Sequence, residues 1–456
     1  MRGRLDREGL AAMQTEIDGL AKAVAAMYDA NRQVGFAPWC GRAYDFVCPS
    51  VGTYPFQWFW DSCFHATVLR HLDVGRAEAE LATLIANQQA DGFIGHVTLW
   101  QRERHTHLLA NYNIAYRTPY VSDCIQPPVL AEAVWDVARA GRGTPFVREV
   151  VARVRAFYDW LHRERDPDGD GLIAVLLPDE SGLDHTPKYD AYLGIAPGDE
   201  TLAEFDAAWA RVARAYAAVR RDGARMFALD AFVVEDVMVN SIYGRNLRFL
   251  ARLLAETGDD RGAAEHDARA DHTTRSLLTR CYDAERGLFF DLAGAAERRL
   301  EVNTFTCLMP LLLPDLPTDV ARRLIAHLED PGTYALPYPV PSVARTEPSF
   351  RPGPVGTRLT WRGPTWLNVN WFLTRALRQH GRDDLAAHLA RRSVELVARS
   401  GFREYYDPFN GEGHGARDFA WTGLVLDMAA ALGAAGGSRA KVGSGEPFSG
   451  PSFVRR

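Results

Sequence analysis

Phe402-Arg-Glu-Tyr-Tyr-Asp-Pro-Phe-Asn-Gly-Glu-Gly-His-Gly-Ala-Arg-Asp-Phe-Ala-Trp-Thr-Gly-Leu-Val-Leu-Asp427 opens with two acids among aromatic residues, Glu404 and Asp407. A turn follows at Pro408-Phe409-Asn410-Gly411, where Asn-Gly supplies the positive φ that tight turns need. Asp418 then stands in an N-cap position, and Phe419, Trp421, Leu424 and Leu426 begin an apolar helix. The order is acid, aromatic wall, turn, buried helix. It would hold one carboxylate at the mouth of a cavity on backbone anchored by a packed helix. Alone, the stretch reads equally well as an exposed acidic loop, so the rest of the chain decides.

The same alternation of helix and aromatic loop runs outward from it. Residues Leu10, Met13, Ile17, Leu20, Val24 and Met27 keep three-and-four spacing over 10–30. The pattern returns at 62–90, 129–140, 145–163, 202–219, 233–257, 261–281, 318–328, 364–380, 383–400 and 418–432. Strand-like alternation is short, as at 288–292. Long loops rich in glycine and aromatics separate the helices, and such loops inside a compact protein usually carry function. Antiparallel helix pairs, outer then inner, closing into a toroid fit this layout: an all-α (α/α)6 barrel with a loop-built pocket at one end. A solenoid is the alternative, but no fixed repeat period is present. The expectation is one catalytic domain over 1–433 and a disordered Gly/Ser/Arg/Pro-rich tail over 434–456.

Composition narrows the function. The 456 residues are 47% hydrophobic and 24% charged, a globular balance with length for a large core. A net charge of −6 with no basic block argues against nucleic acid as a partner. No signal peptide or long apolar run is visible, so no membrane partner is expected. The six scattered cysteines read as reduced thiols of a cytoplasmic protein. Tryptophans beside polar groups, as in Gln57-Trp58-Phe59-Trp60-Asp61, suit a sugar, with its apolar C–H faces and polar edges. Whether the chain forms a homo-oligomer stays open.

Four constellations stand out. Tyr54-Pro-Phe-Gln57-Trp58-Phe-Trp60-Asp61 offers a carboxylate and stacking rings, although Asp61 reads as readily as a helix cap. Pro178-Asp-Glu-Ser-Gly-Leu-Asp184-His-Thr-Pro-Lys-Tyr-Asp190 crowds acids into one loop, where partial burial would raise a carboxyl pKa as a general acid requires. Trp361-Arg362-Gly363-Pro364 leading to Trp366 looks like a pocket wall, or an ordinary Pro-initiated helix entry. Asp166-Pro-Asp168-Gly-Asp170-Gly171 matches the opening of a calcium loop, but its twelfth position is Leu177. It reads as a tight turn without metal. No phosphate loop, zinc-protease motif or serine elbow is present, and no cofactor is expected. Paired carboxylates remain the best chemical equipment.

On these motifs the chain resembles glycoside hydrolase family 63, and within it the compact bacterial members that hydrolyse mannosylglycerate and glucosylglycerate. The resemblance covers nearly the whole chain to about residue 432. It implies an inverting α-glycosidase acting on a small α-glucoside such as glucosylglycerate, with a mannosylglycerate hydrolase or another α-glucosidase or trehalase-like enzyme of the same barrel as the alternative. Its general acid falls on Asp184 and its general base on Glu404, the second preferred over Glu412. Tyr54, Trp58, Trp60, Asp61, Trp361 and Trp366 fall on sugar-gripping positions, and Gln126 on a further pocket position. Gln57, Arg362 and Gly363 stand inside the same motifs and are counted with the binding set. The family's glycerate-holding arginine and tyrosine have no clear counterparts; Lys188, Arg211, Arg220 and Arg221 are the candidates. Residues 97–120, rich in His and Arg, would form a lid. The rivals are a lyase on the same barrel and a sugar-binding protein without catalysis.

Overall fold

An amphipathic helix must bury its apolar stripe, and a helix apolar all round must be enclosed by others. Both kinds occur in the computed structural model, which describes residues 7–101, 116–118, 120–197, 200–353 and 359–438. Every residue of helix Phe59–Leu69 is buried. It touches Leu130–Ala140, which touches Val237–Thr257; the ring continues through Phe305–Leu312, Leu367–Gln379 and Leu424–Ser438 and returns to Phe59–Leu69. Around this inner ring pack Arg7–Asn31, Val74–Ala86, Thr144–Arg165, Asp260–Ser276, Thr318–Glu329 and Asp383–Ser400. This is the (α/α)6 barrel.

The outer helices bury one face each. Val74–Ala86, for example, turns Ala77, Leu81, Leu84 and Ile85 inward. The segment read as one helix over 62–90 is two, because Asp73 caps the second by accepting from Arg76 N at 3.1 Å. The inner station at Phe305–Leu312 is a 3-10 helix that periodicity missed: it is apolar all round and contains Pro310, which lacks the N–H a longer helix needs. Asp61 is not the N-cap of its helix, a position that Trp58 takes; it stands in the first turn. Asp418 is no cap either. It has a left-handed φ of 51°, and the last helix starts later, at Leu424. That helix runs to Ser438; the remainder of the expected tail lies outside the described residues, as does most of the expected lid.

The stretch 402–417 is a hairpin. Strand Arg403–Tyr406 pairs antiparallel with Gly413–Arg417, and the register slips between Arg403 and Tyr405. Gly411 in the connecting turn has the expected positive φ, 73°. All six cysteines are free thiols. Among the described residues no helix is long and apolar enough to cross a membrane.

Candidate active site

The acid-bearing loop begins with the buried apolar run 172–177 and tightens into a 3-10 turn at Pro178–Ser181. Three sets of ion pairs hold it. Glu180 takes both guanidinium nitrogens of Arg165, each at 2.6 Å, and also accepts from Leu176 N at 2.6 Å and Ile125 N at 3.0 Å. Lys188 donates to Asp236 at 2.5 Å and lies 3.0 Å from Asp291. Arg362 grips both oxygens of Asp190, at 2.8 and 2.7 Å. Such buried ion pairs add little net stability, because the cost of desolvation offsets the attraction, but breaking one strands its partner's charge. Gly182, with φ 72°, closes the turn against Trp60; a Cβ there would meet the indole carbons at 2.6 Å. Asp184 follows and projects into a cavity.

Glu404 reaches the same cavity from the hairpin. It sits at the register slip, the kind of irregularity that re-aims a side chain. Tyr54 donates its hydroxyl to Oε1 at 3.0 Å, and Ala416 N donates to Oε2 at 2.7 Å. Neighbouring Gly415 has φ 67°, and a Cβ there would lie 2.4 Å from Oε2.

The cavity has a volume of about 510 Å³, room for a disaccharide-sized ligand. Asp61, Asp184 and Glu404 line it together with Tyr54, Trp58, Trp60, Gln126, Trp361 and Trp366. Trp361 and Trp366 stack at 3.8 Å between centroids with planes 5° apart. Trp421 stands edge-on to Trp366 at 5.8 Å and to Trp60 at 5.5 Å. Trp361 has φ 59°, a left-handed conformation that a bulky residue keeps only where its surroundings hold it. Gln126 Oε1 accepts from Trp60 N at 3.1 Å, which fixes its amide at the wall.

The cavity acids are under pressure to keep their protons. Asp184 is open to cavity water yet deep in protein, and burial pushes it up to about 6. Asp61 is pushed up to about 8, first by burial and then by the charges of Glu404 and Asp184. Glu404 is raised by burial and by Asp184, against the pull of the Ala416 and Tyr54 hydrogen bonds. Among the described residues no lysine or arginine lines the cavity.

Not every expected residue is on the wall. Gln57 is fully buried behind it, donating to Ser62 Oγ at 3.1 Å and accepting from Trp100 Nε1 at 2.7 Å. Arg362 is occupied with Asp190, and Gly363 is packed against the backbone at Arg351. Lys188, Arg211, Arg220 and Arg221 do not line the cavity. Residues without an assigned role do: Asp179, which accepts from Trp209 Nε1 at 2.9 Å, and His96, Phe205 and Asp206. Asp179 was visible in an acid-rich loop; nothing in sequence paired it with a tryptophan on another helix.

This architecture has relatives. A family model for the mannosylglycerate hydrolase MGH1-like glycoside hydrolase domain matches residues 54–422. The chain is 32% identical to a mannosylglycerate hydrolase of Rubrobacter radiotolerans, over 86% of this chain and 93% of that one. It is 30% identical to a glucosylglycerate hydrolase of Mycolicibacterium hassiacum, over 82% and 92%. The family 63 mannosylglycerate hydrolase of Thermus thermophilus, solved with Tris and D-glycerate, superposes with a TM-score of 0.78 at 28% identity, covering 90% of this chain and 99% of that one. A tryptophan-walled cavity with carboxylates from two distant loops, on a barrel shared with these enzymes, makes this chain a member of glycoside hydrolase family 63, in its mannosylglycerate hydrolase MGH1-like branch.

Proposed function

We propose that the protein is an inverting α-glycosidase hydrolysing a small α-glucoside such as glucosylglycerate. Asp184 protonates the glycosidic oxygen as the C–O bond breaks. Glu404 takes a proton from the water that attacks the anomeric carbon from the opposite face. The free sugar leaves with inverted configuration, together with the aglycone alcohol. The observation that carries this reading is that Asp184 and Glu404, from loops far apart in sequence, line one cavity in unlike surroundings. Asp184 has a raised pKa of about 6, which suits an acid. Glu404 is met by a donor on each oxygen, which favours the carboxylate form and suits a base. Trp60 and Asp61 would grip the sugar, with Tyr54, Trp58, Trp361 and Trp366 around it.

A mannosyl substrate is the second reading, favoured by the activity of the Rubrobacter radiotolerans relative. One experiment tests both. The protein is given α-glucosyl and α-mannosyl derivatives of glycerate and of neutral polyols, and proton NMR reads the anomer of the fresh product. A β-anomer from a glucosyl substrate is expected. Retained configuration, or no cleavage of any of them, overturns the proposal.

A further inference from the structure

The cavity wall carries two separate sets of rings. Trp60, Trp361 and Trp366 are joined through Trp421, their centroids 5.5, 6.5 and 5.8 Å from its own. Phe205 and Trp209 are tied instead to the acid-bearing loop. Phe205 stands edge-on to His185, the residue after Asp184, with centroids 5.1 Å apart. Trp209 donates Nε1 to Oδ2 of Asp179, upstream of Asp184 in the same loop, at 2.9 Å. Both rings come from the helix Leu202–Ala218, which starts where Thr201 accepts from Glu204 N at 3.2 Å. This helix turns Leu202, Phe205, Asp206 and Trp209 to the cavity, the three-and-four spacing of one face.

An acid that protonates a glycosidic oxygen stands between sugar and aglycone. With the sugar against the tryptophan set and Glu404, the aglycone falls to the rings hung on the acid's own loop. Asp179 is the anchored polar group on that side. Its backbone carbonyl accepts from Gly182 N at 2.9 Å inside the 3-10 turn, and its Oδ2 is held by Trp209. Its Oδ1 has no hydrogen-bond partner among the described residues, and the residue is only partly buried where it lines the cavity. Asp206, the other acid of that face, is exposed. Burial and the charge of Asp184 raise the Asp179 carboxyl well above its ordinary range, so it can donate through a held proton as well as accept. A hydroxyl is itself donor and acceptor and matches either form, whereas a carboxylate or an ammonium matches only one.

Resting on the glycosidase reading, we propose that Asp179, set in place by Trp209, hydrogen-bonds a hydroxyl of the aglycone, while Phe205 and Trp209 cover the aglycone's carbon chain. The substrate class is then an α-glycoside of a polyol or hydroxy acid, and Asp179 selects against aglycones that lack the free hydroxyl.

The test compares two glycosides of one aglycone skeleton: the 2-O-glycosylglycerol and the isopropyl glycoside, which lacks the free hydroxyls. The sugar is α-linked glucose or mannose, whichever the parent cleaves. Selectivity is the ratio of the two kcat/KM values, in which leaving-group chemistry and active fraction cancel between parent and variant. The parent is expected to favour the glycerol compound by about hundredfold. Asp179→Ala should lower that ratio by about thirtyfold, and Trp209→Phe, which keeps a ring but removes the N–H, by about fivefold. If Asp179→Ala shows no thermal unfolding transition, Trp209→Phe carries the test. A parent ratio near one, or variants with the parent's ratio, overturns the proposal and leaves the glycosidase reading standing. A fall with Asp179→Ala alone keeps the hydroxyl contact and strikes out the part given to Trp209. The α-glycosyl fluorides need no aglycone site: their cleavage without cleavage of either glycoside overturns the proposal alone, and a parent inert to fluorides and glycosides alike brings down both readings.

Discussion

Two groups of acids inside this barrel are handled in opposite ways. Asp427 and Glu132, on inner helices, are surrounded by cations. Asp427 accepts from Arg70 at 2.5 Å, His71 at 2.8 Å, Arg375 at 3.1 Å and Trp371 Nε1 at 2.7 Å. Glu132 takes Arg245 and Arg375, each at 2.8 Å. Burial by itself would raise both acids. The arginines outweigh it, holding Glu132 at about 2 and Asp427 well below the carboxylate range. Asp61 and Glu404 are buried too and Asp184 opens onto the same cavity; that cavity has no arginine or lysine among the described residues, and all three acids are raised. Desolvation acts on both groups; the partner sets the sign. Acids paired with arginine tie helices together, while acids facing a cavity without a cation have their pKa values raised.

The sharpest break is at the cavity. Asp184→Asn and Glu404→Gln should each lower kcat by about 10³-fold or more, with substrate affinity changed only a few-fold, as read by steady-state kinetics and calorimetry. Near-normal turnover in either variant would remove it from the chemistry. The converse break is Arg375→Met, which leaves Glu132, Asp136 and Asp427 short of a cation. Urea unfolding should show a loss of about 3–5 kcal/mol.

The contrast also fixes how stability follows pH. Asp61 has a folded pKa near 8 against an ordinary 3.8, so its protonated form favours the folded state and stability falls as pH rises across that range. Glu132 is depressed from 4.5 to about 2, so its contribution is present above 4.5 and lost as pH falls through 2. Asp61→Asn should therefore flatten the alkaline decline in Tm between pH 4 and 8 and leave the acid decline in place. A Tm profile identical to the parent would place the alkaline slope elsewhere. The smallest effect is Tyr54→Phe, which removes one hydrogen bond from Glu404. About a fivefold loss in kcat/KM is expected, with the acid limb of the pH–rate profile moved upward. An unmoved limb would mean that Tyr54 does not tune the base.

Periodicity was enough for the helices because an amphipathic stripe is written locally, residue by residue. It failed at 305–312, where an inner element is apolar on every side, and at 62–90, where the break depends on one cap at Asp73. The site was half legible. Asp61, Asp184 and Glu404 share a cavity with the tryptophans their motifs carry. Gln57 and Arg362 stand in those motifs as plainly, yet Gln57 is tied to Ser62 and Trp100 and Arg362 to Asp190. A motif does not reveal which way its side chains turn.

What the chain determined by itself was therefore local: which segments coil, where turns need glycine, and which loops concentrate acids and aromatic rings. The tertiary structure decided which acids receive a guanidinium and which face an open cavity. That follows from physics. Helix and turn preferences act over a few residues, whereas a carboxylate's charge state depends on groups that closure of the ring brings beside it from anywhere in the chain.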